Sequence, residues 1–270
     1  MSAWAGLGYY ARARNLHACA KAVVRDHDGR FPETEDELRK LPGIGVYTAA
    51  AIAAIAFGRR AVVIDANVQR VAARYAAIEV PLPLAKKHIH DVIEAMTPKE
   101  GTGKSGDFAQ AMMDLGATIC TVKAPKCLIC PLADDCQAAF AAIAESLPRK
   151  PSKKARPIRH GWAWWVEHEG RLLFERRPAK GLLGGMPGLP GTSWSMEELP
   201  DLPVDAEDLG RSVQHVFTHL TLNLHLARCN YPAIANHLQG APIWVDADKI
   251  DEFSMPTLYK KAVSVMIDGG

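Results

Sequence analysis

Four cysteines fall within seventeen residues, Cys120, Cys127, Cys130 and Cys136, in the pattern C-x6-C-x2-C-x5-C, with Pro125 and Pro131 setting turns between them. Four thiolates so close in sequence, with no histidine among them, can wrap a compact metal cluster. Zinc is the competing metal, but four-thiolate zinc sites use paired C-x2-C knuckles and this run contains one pair. The spacing therefore favours a 4Fe-4S cluster. Cys19 and Cys229 stand apart and read as buried, inert thiols. A second motif, Leu41-Pro42-Gly43-Ile44-Gly45, separates an acidic helical segment, 33–40, from an Ala-rich one, 48–57. Two glycines let the backbone turn sharply and present N–H groups beside a helix N-terminus, which suits a phosphate oxygen. A Gly-x-Gly between helices is more often only a tight turn. The third feature is Asp65, which follows the apolar run Ala61-Val62-Val63-Ile64 and precedes a helical pattern over 68–75. Most aspartates in that place are N-caps. The same geometry can also set a carboxylate against a sugar that becomes cationic as its base departs.

The elements that must position these groups change character along the chain. From Ala3 to about Ala144, Ala, Leu and Ile recur at helical spacing, and Pro32 precedes an acidic first turn of Glu33, Glu35, Asp36 and Glu37. This part is expected to be all-α. The stretch from Leu147 to His160 holds six Lys/Arg, three prolines and no acid, and reads as a solvated tether, equally able to lie along phosphates or to serve as a plain linker. Beyond it the apolar period becomes two. Trp162, Trp164 and Val166 alternate toward a turn at Glu169-Gly170, and 172–175 returns as a hairpin. A Gly/Pro loop over 181–191 precedes one long alternating run, 213–227. In that run Val216, Leu220, Leu222, Leu224 and Leu226 are expected on one face, and His215, Phe217, His219 and His225 on the other. A closing helix is expected over 257–267. The second part is thus α+β.

The 270 residues, 48% hydrophobic and 23% charged, are enough for two cores. Global disorder is excluded. No apolar run approaches the roughly 18 residues of a bilayer-spanning helix, and no signal peptide follows Met1. A cytoplasmic protein without a membrane partner is expected, and a monomer. The net charge of +2 hides a division: 23 Lys/Arg against 16 Asp/Glu in residues 1–160, and 9 against 14 in 161–270. Only the first part favours a polyanion by bulk charge.

Hairpin, aspartate and cysteines occur in the order seen in the iron-sulfur helix-hairpin-helix DNA glycosylases. Within that superfamily the sequence most resembles the MutY adenine DNA glycosylases, through Gly6-Leu7-Gly8-Tyr9-Tyr10-Ala11-Arg12, through Gln110-Ala111-Met112-Met113-Asp114-Leu115-Gly116, and through its second part. The resemblance covers nearly the whole chain. It implies a multi-domain protein: an all-α helix-hairpin-helix glycosylase domain with a 4Fe-4S loop over 1–147, a basic linker over 148–160, and an α+β Nudix-like domain that recognises 8-oxoguanine over 161–270. By the resemblance, Asp65 is the catalytic aspartate, and Asn67 and Tyr47 help to hold the active site. Gly43, Ile44, Gly45 and Val46 bind DNA phosphate. Tyr9 is the aromatic wedge in the base stack, and half-buried helix packing is its plain alternative. Phe217-Thr218-His219 matches the lesion-reading Phe-Ser-His loop, with Thr in place of Ser. A Thr hydroxyl still donates and accepts. Cys120, Cys127, Cys130 and Cys136 hold the cluster.

The implied reaction is hydrolysis of the N-glycosidic bond of an adenine paired with 8-oxoguanine or guanine in duplex DNA. The base is flipped out because its bond cannot be reached within the stack. The related endonuclease III family forms a Schiff base through a hairpin lysine. Here that position is Tyr47, which cannot form an imine. Nudix hydrolases hold metal on an R-E-x-x-E-E helix, whereas only Glu197-Glu198 follows Gly184-Gly185, so the second domain reads as a DNA-binding module. The family has further helices before the Gly-Leu-Gly-Tyr-Tyr segment, and they carry a general-acid glutamate. Met1 is therefore expected to be an internal methionine, and this form of the protein to be impaired and aggregation-prone. A nucleoid-associated location follows for a bacterial source. Two rival readings are a thymine or oxidised-pyrimidine glycosylase and a non-catalytic iron-sulfur protein that binds mismatches.

Overall fold

The computed structural model describes residues 4, 10–151, 155–178, 181–196, 198–202 and 205–268. Backbone contacts divide the chain into two compact units, Asn15–Lys153, and Lys154–Gly270 with Met1–Arg14. Among the described residues no helix is long and apolar enough to cross a membrane.

Among the described residues, 10–151 form helices and turns without strands. Seven α-helices lie here: α1 (Tyr10–Asp26), α2 (Glu35–Leu38), α3 (Val46–Phe57), α4 (Ala66–Tyr75), α5 (Lys86–Met96), α6 (Ser105–Thr118) and α7 (Gln137–Phe140). The acidic segment at 33–40 is helical over four residues, capped by Thr34, whose hydroxyl accepts from the Glu37 N–H. Helix α3 begins two residues earlier than its alanine pattern suggests, because Gly45 already serves as N-cap. Its buried face is Ala49, Ala50, Ala53 and Ala54, packed with Cys19, Val23, Leu38 and Leu41. Side chains this short let neighbouring backbones approach closely. A second core gathers Val68, Val71, Ala72, Ile89, Ile93, Met112 and Leu115 from α4, α5 and α6. Helix α6 touches both α3 and α4 through glycines. A Cβ on Gly106 would stand 2.7 Å from the Ala54 carbonyl oxygen, and one on Gly116 would stand 2.6 Å from the Asn67 Cβ.

The other unit carries two sheets. In the first, β1 (Ile158–Trp165) runs parallel to β6 (Thr221–Arg228), which pairs antiparallel with β5 (Glu207–Val216). In the second, β3 (Arg171–Arg176) pairs antiparallel with β2 (Glu167–His168), β4 (Pro187–Gly188) and β7 (Pro242–Asp246). The short helix α8 (Tyr231–Ile234) and the closing helix α9 (Thr257–Ile267) complete it, α9 with the bounds expected. One core joins Phe174, Leu222, Leu224 and Leu226 to Leu258, Tyr259 and Ala262 of α9.

The structure corrects three expectations in this unit. Residues 158–160, assigned to the tether, are already strand β1. The expected hairpin at Glu169-Gly170 is made by β2 and β3, while Trp162 and Trp164 lie on β1, paired with β6. The run 213–227 is two strands folded back on each other, so its parity breaks at the turn. His215 stands opposite Leu222 and Val213 opposite Leu224, which puts both on the core face, and Val216 is 54% exposed.

Candidate DNA-repair site

Asp65 is the N-cap of α4, and its Oδ1 accepts the Val68 N–H at 2.7 Å. The capping role expected from sequence is therefore present. The second oxygen, Oδ2, accepts from the Asn67 Nδ2 at 3.0 Å. Asn67 is held in turn, because its Oδ1 accepts from the Arg70 guanidinium at 3.0 Å. Arg70, 8% exposed, also donates from Nε to the Cys120 carbonyl at 2.7 Å and from its terminal nitrogen to the Gly116 carbonyl. One helical turn on, Arg74 is 2% exposed and donates to the Thr121 and Leu147 carbonyls at 2.7 and 3.1 Å, and to the Cys120 Sγ at 3.3 Å. Two buried cations at i and i+4 of α4 thus tie the carboxylate's helix to the start of the cysteine loop. A buried guanidinium is tolerated only when its donors are used, and here carbonyl oxygens take most of them. Sequence reasoning passed over Arg70 and Arg74. The available signal was their spacing on the same stripe as Val71 in a helix whose interior neighbours are Val and Ala.

Tyr47 lies in the first turn of α3, 42% exposed, and its hydroxyl donates to the Met113 sulfur at 3.6 Å. Met113 and Gly116 are one turn apart on α6, so the same helix face supports Tyr47 and Asn67. Val46 and Tyr47 line a cleft with Ile64 and Gln69, the neighbours of the Asp65 segment, and with Glu35 and His90. Burial, followed by Asp36, raises the Glu35 carboxyl above the ordinary carboxylate value.

In the hairpin, Gly43 has φ +77° and Gly45 offers no side-chain cap to α3. A Cβ on Gly43 would lie 2.5 Å from the Asn15 Cβ, so glycine is required there by conformation and by space. Ile44 packs into the α3 core, whereas Gly43, Gly45 and Val46 are exposed. The first amides of α3 thus meet solvent without a capping side chain, which is the arrangement that accepts an anion.

Cys120, Cys127, Cys130 and Cys136 line one small cavity together with Arg74, Pro125 and Lys126. No disulfide joins them. Burial pushes the Cys130 thiol up, and Cys120, Cys136 and Cys127 add to the effect. Among the described residues no three His, Cys, Asp or Glu converge on a single ion position. The four sulfurs share the lining of that one cavity. Lys123 and Lys126 are exposed at this loop.

In the unit that carries the sheets, Phe217 donates its N–H to the Leu220 carbonyl at 2.8 Å and closes the turn between β5 and β6. Thr218 and His219 are exposed at its tip, while the Phe217 ring is half-buried against Trp194 and His215. Burial, then Lys261, lowers the His215 pKa. Tyr9 and Glu197 lie outside the described residues. Glu175 is buried as a structural acceptor of the Gln239 and Gly240 N–H groups.

The family description "NUDIX domain" matches residues 161–265, and "Helix-hairpin-helix motif" matches residues 26–55. Together with the fold, these define a helix-hairpin-helix glycosylase domain joined to a Nudix-like domain. The adenine DNA glycosylase of Buchnera aphidicola subsp. Acyrthosiphon pisum is 30% identical over 267 residues, covering 96% of this chain and 75% of that protein. The human adenine DNA glycosylase is 30% identical over 327 residues, 97% of this chain and 59% of that protein. A solved thermostable thymine-DNA glycosylase is 34% identical at a TM-score of 0.42, covering 48% of this chain and 58% of that one. The chain belongs to the adenine DNA glycosylase family, the MutY family.

Proposed function

We propose that the protein removes adenine paired with 8-oxoguanine or guanine in double-stranded DNA by hydrolysis of the N-glycosidic bond. The observation that carries this reading is the relay from Asp65 through Asn67 and Arg70 to the Cys120 carbonyl, which holds a carboxylate at a helix N-terminus with side chains dedicated to fixing it. In the reaction the adenine is flipped out, and the Asp65 carboxylate faces the deoxyribose as positive charge develops on the sugar. Asn67 keeps that carboxylate oriented. Tyr47, beside the cleft at the start of α3, packs against the sugar and offers no amine for a Schiff base, so the strand stays intact after base loss. The amides of Gly43, Ile44, Gly45 and Val46 hold a backbone phosphate, and Tyr9 enters the base stack. The hydroxyl of Thr218 and the imidazole of His219 contact the opposing 8-oxoguanine, with Phe217 as their base.

The test compares single-turnover base release from duplexes carrying A opposite 8-oxoguanine, A opposite guanine and T opposite guanine. Release from the first two, without strand cleavage, is the expected result. Release of thymine would transfer the protein to the neighbouring specificity, and mismatch binding without any release would make it a non-catalytic reader.

Cys120, Cys127, Cys130 and Cys136 would hold a 4Fe-4S cluster, whose iron–thiolate bonds cross-link the loop. The residues fit the group: four cysteines, no histidine, one shared cavity and no disulfide. The loop then presents Lys123 and Lys126 to DNA. Cys127→Ser is expected to lose the brown iron absorbance and DNA affinity together, read by visible spectroscopy and by fluorescence anisotropy on the same preparation. Full affinity without iron would show that the loop is shaped by the polypeptide alone.

A further inference from the structure

Behind the Phe217 turn the structure gathers four planar groups from three parts of the chain. The Arg177 guanidinium lies over the Trp194 indole, 4.7 Å from the ring centroid. Trp194 stacks on Phe217 at 5.9 Å and 28°, and Phe217 also meets the His215 imidazole edge-on at 4.6 Å. The far end of the stack is anchored, because Arg177 donates to the hydroxyl of Tyr259, a fully buried residue of α9, at 2.8 Å. Trp194 is also confined from below. A Cβ on Gly161 of β1 would stand 2.6 Å from the indole Cδ1, so this strand position is bare where the indole rests. The indole therefore rests at Gly161 and meets both the Arg177 cation and the Phe217 ring. The tip residues Thr218 and His219 contribute no such packing, being exposed.

We propose that Arg177 and Trp194 are positioning residues for lesion recognition, setting the direction of Thr218 and His219 through the Phe217 ring. The inference rests on the reading of Phe217-Thr218-His219 as the loop that senses 8-oxoguanine, and adds two residues that act through the Phe217 ring. A two-residue tip closing a hairpin has few contacts of its own, so its orientation is set by the ring at its base. Arg suits this position because its flat guanidinium stacks while its N–H groups remain free to reach Tyr259, which an ammonium does not reproduce.

The experiment measures, on the full chain, the ratio of dissociation constants for duplexes with A opposite guanine and A opposite 8-oxoguanine. It is run for the wild type, His219→Ala, Trp194→Leu, Trp194→Phe and Arg177→Lys. Hydrogen exchange of the 217–220 amides and the thermal midpoint are followed in parallel. Trp194→Leu and Arg177→Lys are expected to lower the ratio roughly three- to tenfold and to speed exchange at the turn, with affinity for the guanine duplex unchanged. Trp194→Phe, which keeps a ring, should restore most of both. If Trp194→Leu fails to fold, Arg177→Lys carries the test, since it leaves the core rings in place. A lowered ratio in His219→Ala, with both stack variants at the wild-type ratio and exchange, overturns the present inference alone. A wild-type ratio in His219→Ala overturns the loop reading, and this inference with it.

Discussion

Asp65→Asn is expected to lower single-turnover base release about a hundred- to a thousandfold while leaving the fold and DNA binding in place. The reasoning turns on the two functions that one carboxylate serves here. As N-cap it accepts the Val68 N–H, and asparagine accepts the same hydrogen bond with nearly the same capping strength. Capping is therefore preserved in the variant. What asparagine lacks is an acceptor for the Asn67 amide and the negative charge proposed to face the sugar, and removal of one such electrostatic contact costs about 2.7–4 kcal/mol of transition-state stabilisation. The variant thus separates cap from catalyst. Release is measured by alkaline cleavage at the abasic site with protein in excess, alongside the thermal midpoint and duplex affinity. A rate equal to the wild type would reduce Asp65 to a helix cap.

Arg70→Leu is expected to affect stability and chemistry together. The substitution leaves the buried Gly116 carbonyl and the partly buried Cys120 carbonyl and Asn67 Oδ1 without their donor. Each orphaned acceptor costs about 1–3 kcal/mol, so destabilisation of about 3 kcal/mol or more is expected in denaturant titration. Asn67 is freed in the same step and loses the orientation that lets it donate to Asp65. Base release should therefore fall even at temperatures where the variant is folded, whereas a leucine on a solvated helix face would change neither. A variant with lowered stability and wild-type release would show that the guanidinium only fastens the loop.

What the sequence disclosed depended on how far apart the interacting residues lie. The cysteine spacing, the glycines of the hairpin and the Asp65 cap are local patterns, legible because one short stretch carries the whole signal. Arg70 was not legible, because its partners Gly116 and Cys120 come from 46 and 50 positions away. A lone arginine on a helix reads as solvated until those carbonyls are seen. The same holds for Arg177 and Trp194, which meet only after the sheet has formed. The misread strand at 213–227 has a different cause. A period of two continues through a two-residue turn only if the turn preserves parity, and the reversal at Thr218-His219 put His215 with Leu222 and left Val216 outside.

Gly106 and Gly116 give α6 a mechanical property beyond packing. At one end the helix lies against the Ala54 carbonyl of α3, and ten residues later against the Cα and Cβ of Asn67 of α4. A spacing set by long side chains can drift as rotamers change, but one set by main-chain and Cβ atoms cannot. Helix α6 works like the fixed beam of a caliper, one jaw set on the last turn of α3 at Ala54 and the other on the first turn of α4 at Asn67, beside the Asp65 cap. The gap between those two helices is gauged by the absence of two methyl groups.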